Sequence, residues 1–216
     1  MERHILVVLP HPDDEAFSLS GTLAKHIEAG SPVTYACLTL GEMGRNMGNP
    51  PFTNRVELPG IRKQELEESC AAIGIQDLRL LGYHDKTVEF EDTALLDGNI
   101  AAILDEVKPS LVYTFYPGYS VHPDHDATGA AVVRTVGRLP EDERPTVRCM
   151  AFSRDHELAI GRPDVISDVK GFLKQKMGAI RAHRSQFHGV IGSNSLTDRE
   201  MQERFGTERF WTYRFN

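Results

Sequence analysis

Two short stretches gather the groups that could do chemistry. Residues 11–15 read HPDDE, which sets His11, Asp13, Asp14 and Glu15 at the tip of the apolar run Ile5–Leu9. Residues 122–126 read HPDHD, which sets His122, Asp124, His125 and Asp126 just beyond the apolar run Leu111–Tyr116. Neighbouring carboxylates repel one another, so this much charge beside a core strand calls for solvent, a basic side chain or a metal ion. One His and one Asp from the first stretch with one His from the second make a His₂Asp set. Three protein ligands with a fourth position open to water is the arrangement of catalytic zinc. Imidazole with carboxylate suits zinc or iron(II) better than calcium or magnesium, which take all-oxygen shells. Each stretch also leaves residues over, and a hydrolase needs such residues: a base for the attacking water, and an acid or cation at the oxyanion.

The competing reading of each stretch is local. Asp13 or Asp14 could accept N–H bonds at a helix start, Glu15 could complement the helix dipole, and Asp126 could cap a second helix. Recurrence favours the metal reading. Both stretches follow strands, and in open α/β sheets ligands bind outside the carboxyl ends of strands, at a topological switch point. Asp124 is placed to orient or charge-stabilise one of the imidazoles.

The elements that must carry these tips alternate along the chain. Strands are expected at Ile5–Leu9, Pro32–Leu40, Leu78–Leu81, Leu111–Tyr116 and Thr146–Ser153. Helices are expected over residues 16–29, 61–73, 95–107, 126–138 and 166–182, each with apolar residues at helical spacing. Strands separated by helices imply right-handed crossovers and a mostly parallel sheet. The expected fold is α/β, a single three-layer, Rossmann-like domain over residues 1–216. The loop 41–60 is long and rich in Gly, Asn and Pro, as functional loops are. The tail from Gly189 to Asn216 is expected to have no sheet role, with Phe210, Trp211, Tyr213 and Phe215 docking it on the domain.

Bulk properties narrow the function. The net charge of −7 argues against a nucleic-acid or anionic-membrane surface. Cys37, Cys70 and Cys149 are scattered without CxxC spacing, so buried thiols are expected rather than disulfides or a thiolate zinc knuckle. The amino-terminal apolar run is too short to be a signal peptide or to span a membrane, which makes the cytoplasm the default setting. GxGxxG, GxxxxGK[ST] and GxSxG are all absent, so dinucleotide, P-loop and serine-hydrolase readings lack support. His4, His26, His84, His156 and His188 stand outside these paired strand-end motifs and read as surface or core residues.

The paired HPDDE and HPDH motifs resemble the PIG-L/LmbE-like family of zinc-dependent N-deacetylases. TLGEMG at 39–44, RKQEL at 62–66 and AHRSQ at 182–186 resemble further segments of that family, in the same order. The resemblance implies a Rossmann-like fold, one zinc ion and an N-acetylglucosamine-type substrate. His11, Asp14 and His125 would then be the zinc ligands and Asp13 the general base. Protonated His122 would face the tetrahedral oxyanion. Arg62 would hold polar groups of the substrate, Glu42 would bond sugar hydroxyls or cap its loop, and Tyr119 would stand near a tyrosine that some relatives carry. Chain length and general appearance are similar to the bacterial branch that deacetylates N-acetylglucosaminyl-malate in bacillithiol synthesis. Relatives form trimers or hexamers, so a homo-oligomer is expected. Two rival readings stay open: a zinc amidase for other N-acyl sugars or thiol conjugates, and a non-catalytic metal- or sugar-binding module.

Overall fold

The computed structural model describes residues 2–187 and 198–215. Five parallel strands form its centre: β1 (Ile5–Leu9), β2 (Val33–Cys37), β3 (Asp77–Leu80), β4 (Leu111–Phe115) and β5 (Thr146–Met150). Every residue of β1, β2 and β4 is buried, which explains why these strands read as unbroken apolar or small-residue runs rather than alternating ones. Residues on one face of β1 (Ile5, Val7, Leu9) join one core cluster, and Leu6 and Val8 join a second cluster on the other face.

Helices cover both faces. Helices α1 (Asp14–Ser18), α2 (Ser20–Glu28) and α3 (Leu58–Ile73) are followed along the chain by α4 (Thr93–Val107) and α5 (Pro123–Gly137). The short α6 (His156–Ile160) precedes α7 (Leu173–Ala182) and α8 (Asp198–Phe205). Helix α3 packs on α7 and α4 on α5. Among the described residues, no helix is long and apolar enough to cross a membrane. All three cysteines are free and buried, as expected.

With two further strands, β6 (Val165–Asp168) and β7 (Thr207–Thr212), the strand order is β3-β2-β1-β4-β5-β7-β6. It reverses direction between β1 and β4, so the HPDDE and HPDHD tips flank the switch point. Glycine makes the second tip possible: a Cβ on Gly129 of α5 would strike the carbonyl oxygen of Phe115, where β4 ends. The helix that carries His125 therefore lies tight against the strand that precedes it.

Two expectations need correction. The helix placed over 166–182 begins only at Leu173, because Val165–Asp168 forms a strand, β6. The tail, expected to lack a sheet role, supplies β7 (Thr207–Thr212), antiparallel to both β5 and β6. Its first part, and His188, lie outside the described residues. Strand β7 is anchored by charge as well as by ladder bonds. Buried Glu208 accepts hydrogen bonds from the backbone N–H groups of Gly21 and Thr22 at the start of α2, and pairs with buried Lys176 at 2.6 Å. Removing one partner of a buried pair strands the other charge, so Glu208→Ala should lose about 3–5 kcal/mol of stability. Urea denaturation at fixed protein and metal concentration measures it; a loss below about 1 kcal/mol would show that the pair does not hold the tail.

Candidate metal and catalytic site

The turn after β1 reverses sharply enough that Asp13 sits in the left-handed region, at φ 109°. Glu15 holds that turn by accepting the Asp13 N–H at 3.1 Å. Glu15 is itself buried and bonded to His183 at 2.8 Å and to Ser69. Burial opposes both charges, yet His183 draws the Glu15 carboxyl down and Glu15 draws the His183 pKa up, as an ion pair requires. Nearby, Glu65 of α3 accepts from the N–H and hydroxyl of Ser185. The RKQEL and AHRSQ segments thus meet beneath the first tip.

His11, Asp14 and His125 converge. His11 Nδ1 lies 3.2 Å from His125 Nε2. The Asp14 carboxylate lies 3.5 Å from His11 Nδ1 and 3.1 Å from His125 Nε2. The remaining ring nitrogens have acceptors of their own: His125 Nδ1 donates to the Ser120 carbonyl at 3.2 Å, and its ring stacks on Phe115 at 3.9 Å. His11 Nε2 faces Asp85 at 3.1 Å and Asp124 at 3.2 Å. With the ring protons on those outer nitrogens, as a bound cation requires, two lone pairs and a carboxylate would face one another. That arrangement is repulsive unless a cation lies between them. Bonds of 2.0–2.1 Å in tetrahedral array put ligand atoms about 3.3 Å apart, so the donor set fits a zinc-sized ion.

Electrostatics make the same demand. Burial opposes charge on His11, but Asp124, Asp14 and Asp85 outweigh it and hold its pKa well above the ordinary value. Against the push of burial, His125 and His11 hold the Asp14 carboxyl well below the usual range. Burial likewise pushes Asp85 up, and its hydrogen bond with His11 brings it down to about 2. His11 sets His11–Asp85–Asp124 and His11–His122–His125 also bring potential ligand atoms within 4.8 Å of one another.

Asp13 and His122 border this centre without joining the His11–Asp14–His125 triangle. Burial pushes the Asp13 carboxyl up to about 6; Arg62 pulls the other way and Asp14 adds to the rise. His122 begins α5, where its Nδ1 accepts the Asp124 N–H at 3.2 Å. Burial, with His11 and His125 beside it, lowers its pKa. Burial and these neighbours oppose the charged ring that the resemblance implies, and with Nδ1 accepting, a neutral ring would carry its proton on Nε2. Val121, just before it, is held at φ 59°, a costly conformation for a β-branched residue.

The substrate-binding expectations fare differently. Arg62 lines the cavity but is buried, and its guanidinium donates to the Gly41 and Pro12 carbonyls and, at 2.8 Å, to Asp13. Glu42 accepts the Asp85 N–H at 2.9 Å and pairs with His84, so it shapes the loop behind His11 rather than facing the cavity. His84 is thus tied to that loop. Tyr119 stacks edge-on against Tyr116 and does not line the cavity that holds His11, Asp13 and Asp14. His4 bonds Thr34, His26 bonds Tyr113 and His156 bonds the Ser153 carbonyl, all away from the site. Asp85 was overlooked; it directly follows the Gly82–His84 turn after β3, at the same sheet end as the two motifs, and that position was its signal.

The cavity measures 460 Å³ and is lined by Met43, Gly44, Arg45, Lys86, Gln186 and Phe187 besides the residues above. A family model described as PIG-L, GlcNAc-PI de-N-acetylase, matches residues 6–136. Over 220 residues and the full length of both chains, the protein is 50% identical to a probable N-acetyl-alpha-D-glucosaminyl L-malate deacetylase 2 of Bacillus subtilis. Its fold is similar to that of N,N'-diacetylchitobiose deacetylase from Pyrococcus horikoshii (TM-score 0.74, 24% identity, 98% of this chain and 84% of the other). It is also similar to GalB, a 4-carboxy-2-hydroxymuconate hydratase from Pseudomonas putida (TM-score 0.76, 16% identity, 98% and 96% covered). At those identities the likeness is one of fold.

Proposed function

The chain belongs to the PIG-L family, and from that premise we propose that it hydrolyses the acetamide of an N-acetylglucosaminyl conjugate, with N-acetylglucosaminyl-L-malate as the preferred substrate. One observation supports this reading above the others. The inward lone pairs of His11 and His125 and the Asp14 carboxylate form a cation site, and an ionisable carboxyl, Asp13, stands beside it. His11, Asp14 and His125 would hold the ion, with Asp124 and Asp85 orienting His11. We propose zinc, with iron(II) as the alternative in the cell.

A divalent ion held by His11, Asp14 and His125 would supply Lewis acidity, polarising the acetyl carbonyl and making the attacking water more acidic. Asp13, ionised above its pKa of about 6, takes the proton from the water that attacks the acetyl carbon. His122 donates from Nε2 to the oxygen that becomes negative only as the tetrahedral centre forms, an interaction that raises kcat rather than ground-state binding. The proton gathered on Asp13 then passes to the departing amine, since Asp13 is the acid left in the site.

Arg62 is assigned a positioning role towards Asp13 instead of the substrate contact first expected. Arg62→Ala should reduce kcat by about tenfold or more, the cost of losing a charge-assisted hydrogen bond. Because Arg62 pulls the Asp13 carboxyl down, its removal should move the acid limb of the kcat/KM profile to higher pH. A raised KM with an unmoved limb would restore the substrate-binding reading.

One feature favours the larger-acyl alternative: His122 also lines a second groove of 720 Å³ with Val88, Leu96, Pro117, Val121 and Ala127, roomy enough for a longer chain. The test is amine release by zinc-loaded protein from N-acetylglucosaminyl-malate and from N-acyl homologues of increasing length. Fastest turnover of the acetyl compound supports the deacetylase; a maximum at a longer acyl group would overturn it in favour of the amidase.

A further inference from the structure

A malate glycoside brings two carboxylates to a cavity already lined by Asp13, Asp14 and Asp85. Such a substrate needs cations at the cavity wall, and three line it: Arg62, Arg45 and Lys86. Arg62 is buried and committed to the Pro12 and Gly41 carbonyls and to Asp13. Arg45 and Lys86 are exposed, and among the described residues neither side chain has a hydrogen bond or an ion pair. In a chain of net charge −7, two unpaired cations on the wall of one acidic cavity stand out.

Their backbones are pinned although their side chains are free. Arg55 donates to the carbonyls of Glu42 and Gly44, one residue before Arg45. Asn46, one residue after it, exchanges side-chain hydrogen bonds with Gln186 through each other's carbonyls. Lys86 donates its N–H to Asp124 at 2.7 Å, and the N–H of Asp85 before it goes to Glu42 at 2.9 Å. Lys86 also stands at φ 67°, a left-handed position where glycine would cost less. Pinned backbone leaves only the side-chain rotamers of each cation to be ordered on binding.

We infer that Arg45 and Lys86 form the carboxylate clamp that selects an anionic aglycone over a neutral one. Arg45, with its planar fork, is suited to a bidentate carboxylate contact, and Lys86 acts as a point charge on the second carboxylate. The clamp sets specificity and takes no part in proton transfer. It rests on the deacetylase reading for the identity of the sugar, but its binding test does not require turnover.

The experiment compares N-acetylglucosaminyl-malate with methyl N-acetylglucosaminide on the zinc-loaded wild type, Arg45→Ala, Lys86→Ala and the double variant. Calorimetric Kd and kcat/KM are both read. Exposed pairs contribute up to about 1 kcal/mol, so each single variant should lose about fivefold of the preference for the malate conjugate and the double variant about twentyfold. Lys86→Arg should keep the preference, and added salt should erode it, since exposed charges are screened. A preference unchanged in the double variant, or a loss shared equally by both glycosides, overturns the clamp. Binding that follows the expected pattern without amine release from either glycoside supports the clamp and instead overturns the deacetylase reading.

Discussion

Replacing Asp13 by asparagine is expected to lower kcat/KM by about 10²–10⁴-fold while the zinc bound per chain stays the same. The substitution keeps the size of the side chain and can still accept the Arg62 hydrogen bond, so the sharp turn at φ 109° need not change. What disappears is the proton acceptor. Burial pushes that carboxyl up to about 6, which places it close to working pH, where a base is both ionised and strong enough to use. The sign follows directly. The base works only when deprotonated, so activity falls as pH drops through about 6, and the positive charge of a bound ion moves that limb lower. In Asp13→Asn the residual activity should show no such limb. A variant that retains more than about a tenth of wild-type activity would remove Asp13 from the chemistry.

The larger loss is expected at the ligands. Asp14→Ala and His125→Ala should each release the metal on gel filtration and depress turnover by several orders of magnitude, since water without a Lewis acid keeps its pKa of 15.7. The Asp14 carboxylate lies beside both facing imidazole nitrogens, and its pKa is held low by His125 and His11 against the push of burial. Removing it takes away the anionic donor of the set and leaves only two imidazole nitrogens, 3.2 Å apart, to hold an ion. Metal analysis and turnover together distinguish this from the Asp13 result: one variant loses both, the other loses turnover alone. Full metal occupancy in Asp14→Ala would show that the ion is held by another set.

Much of this could be read from the chain because the relevant signals are local. An unbroken apolar run such as Ile5–Leu9 means a strand buried on both faces, and a proline-flanked His–Asp group at its end marks the carboxyl edge. Two such groups on strands β1 and β4, which flank the reversal of strand order, then had one place to meet. The failures were non-local. Strand β6 is four residues long with alternating burial, and β7 follows a short helix, so neither shows the long apolar run that marks the central strands. Their pairing is with each other and with β5, which no local pattern shows. The contacts of Arg62 were hidden for the same reason: its partners Pro12 and Asp13 lie some fifty positions away, and a solvated, positioning or substrate-binding arginine looks identical in sequence. The surroundings of His122 are likewise non-local: burial, with His11 from the other strand tip and His125 beside it, opposes its charge, and no local pattern shows that.

The two strand tips are expected to hold one ion between His11, Asp14 and His125. Anomalous scattering at the zinc edge from crystals of the zinc-loaded protein tests it most directly. One peak is expected within bonding distance of His11 Nδ1, His125 Nε2 and an Asp14 oxygen, with Asp13 beside it and unbound. A peak bonded instead to His11 Nε2, Asp85 and Asp124, or no peak at this end of the sheet, would contradict it.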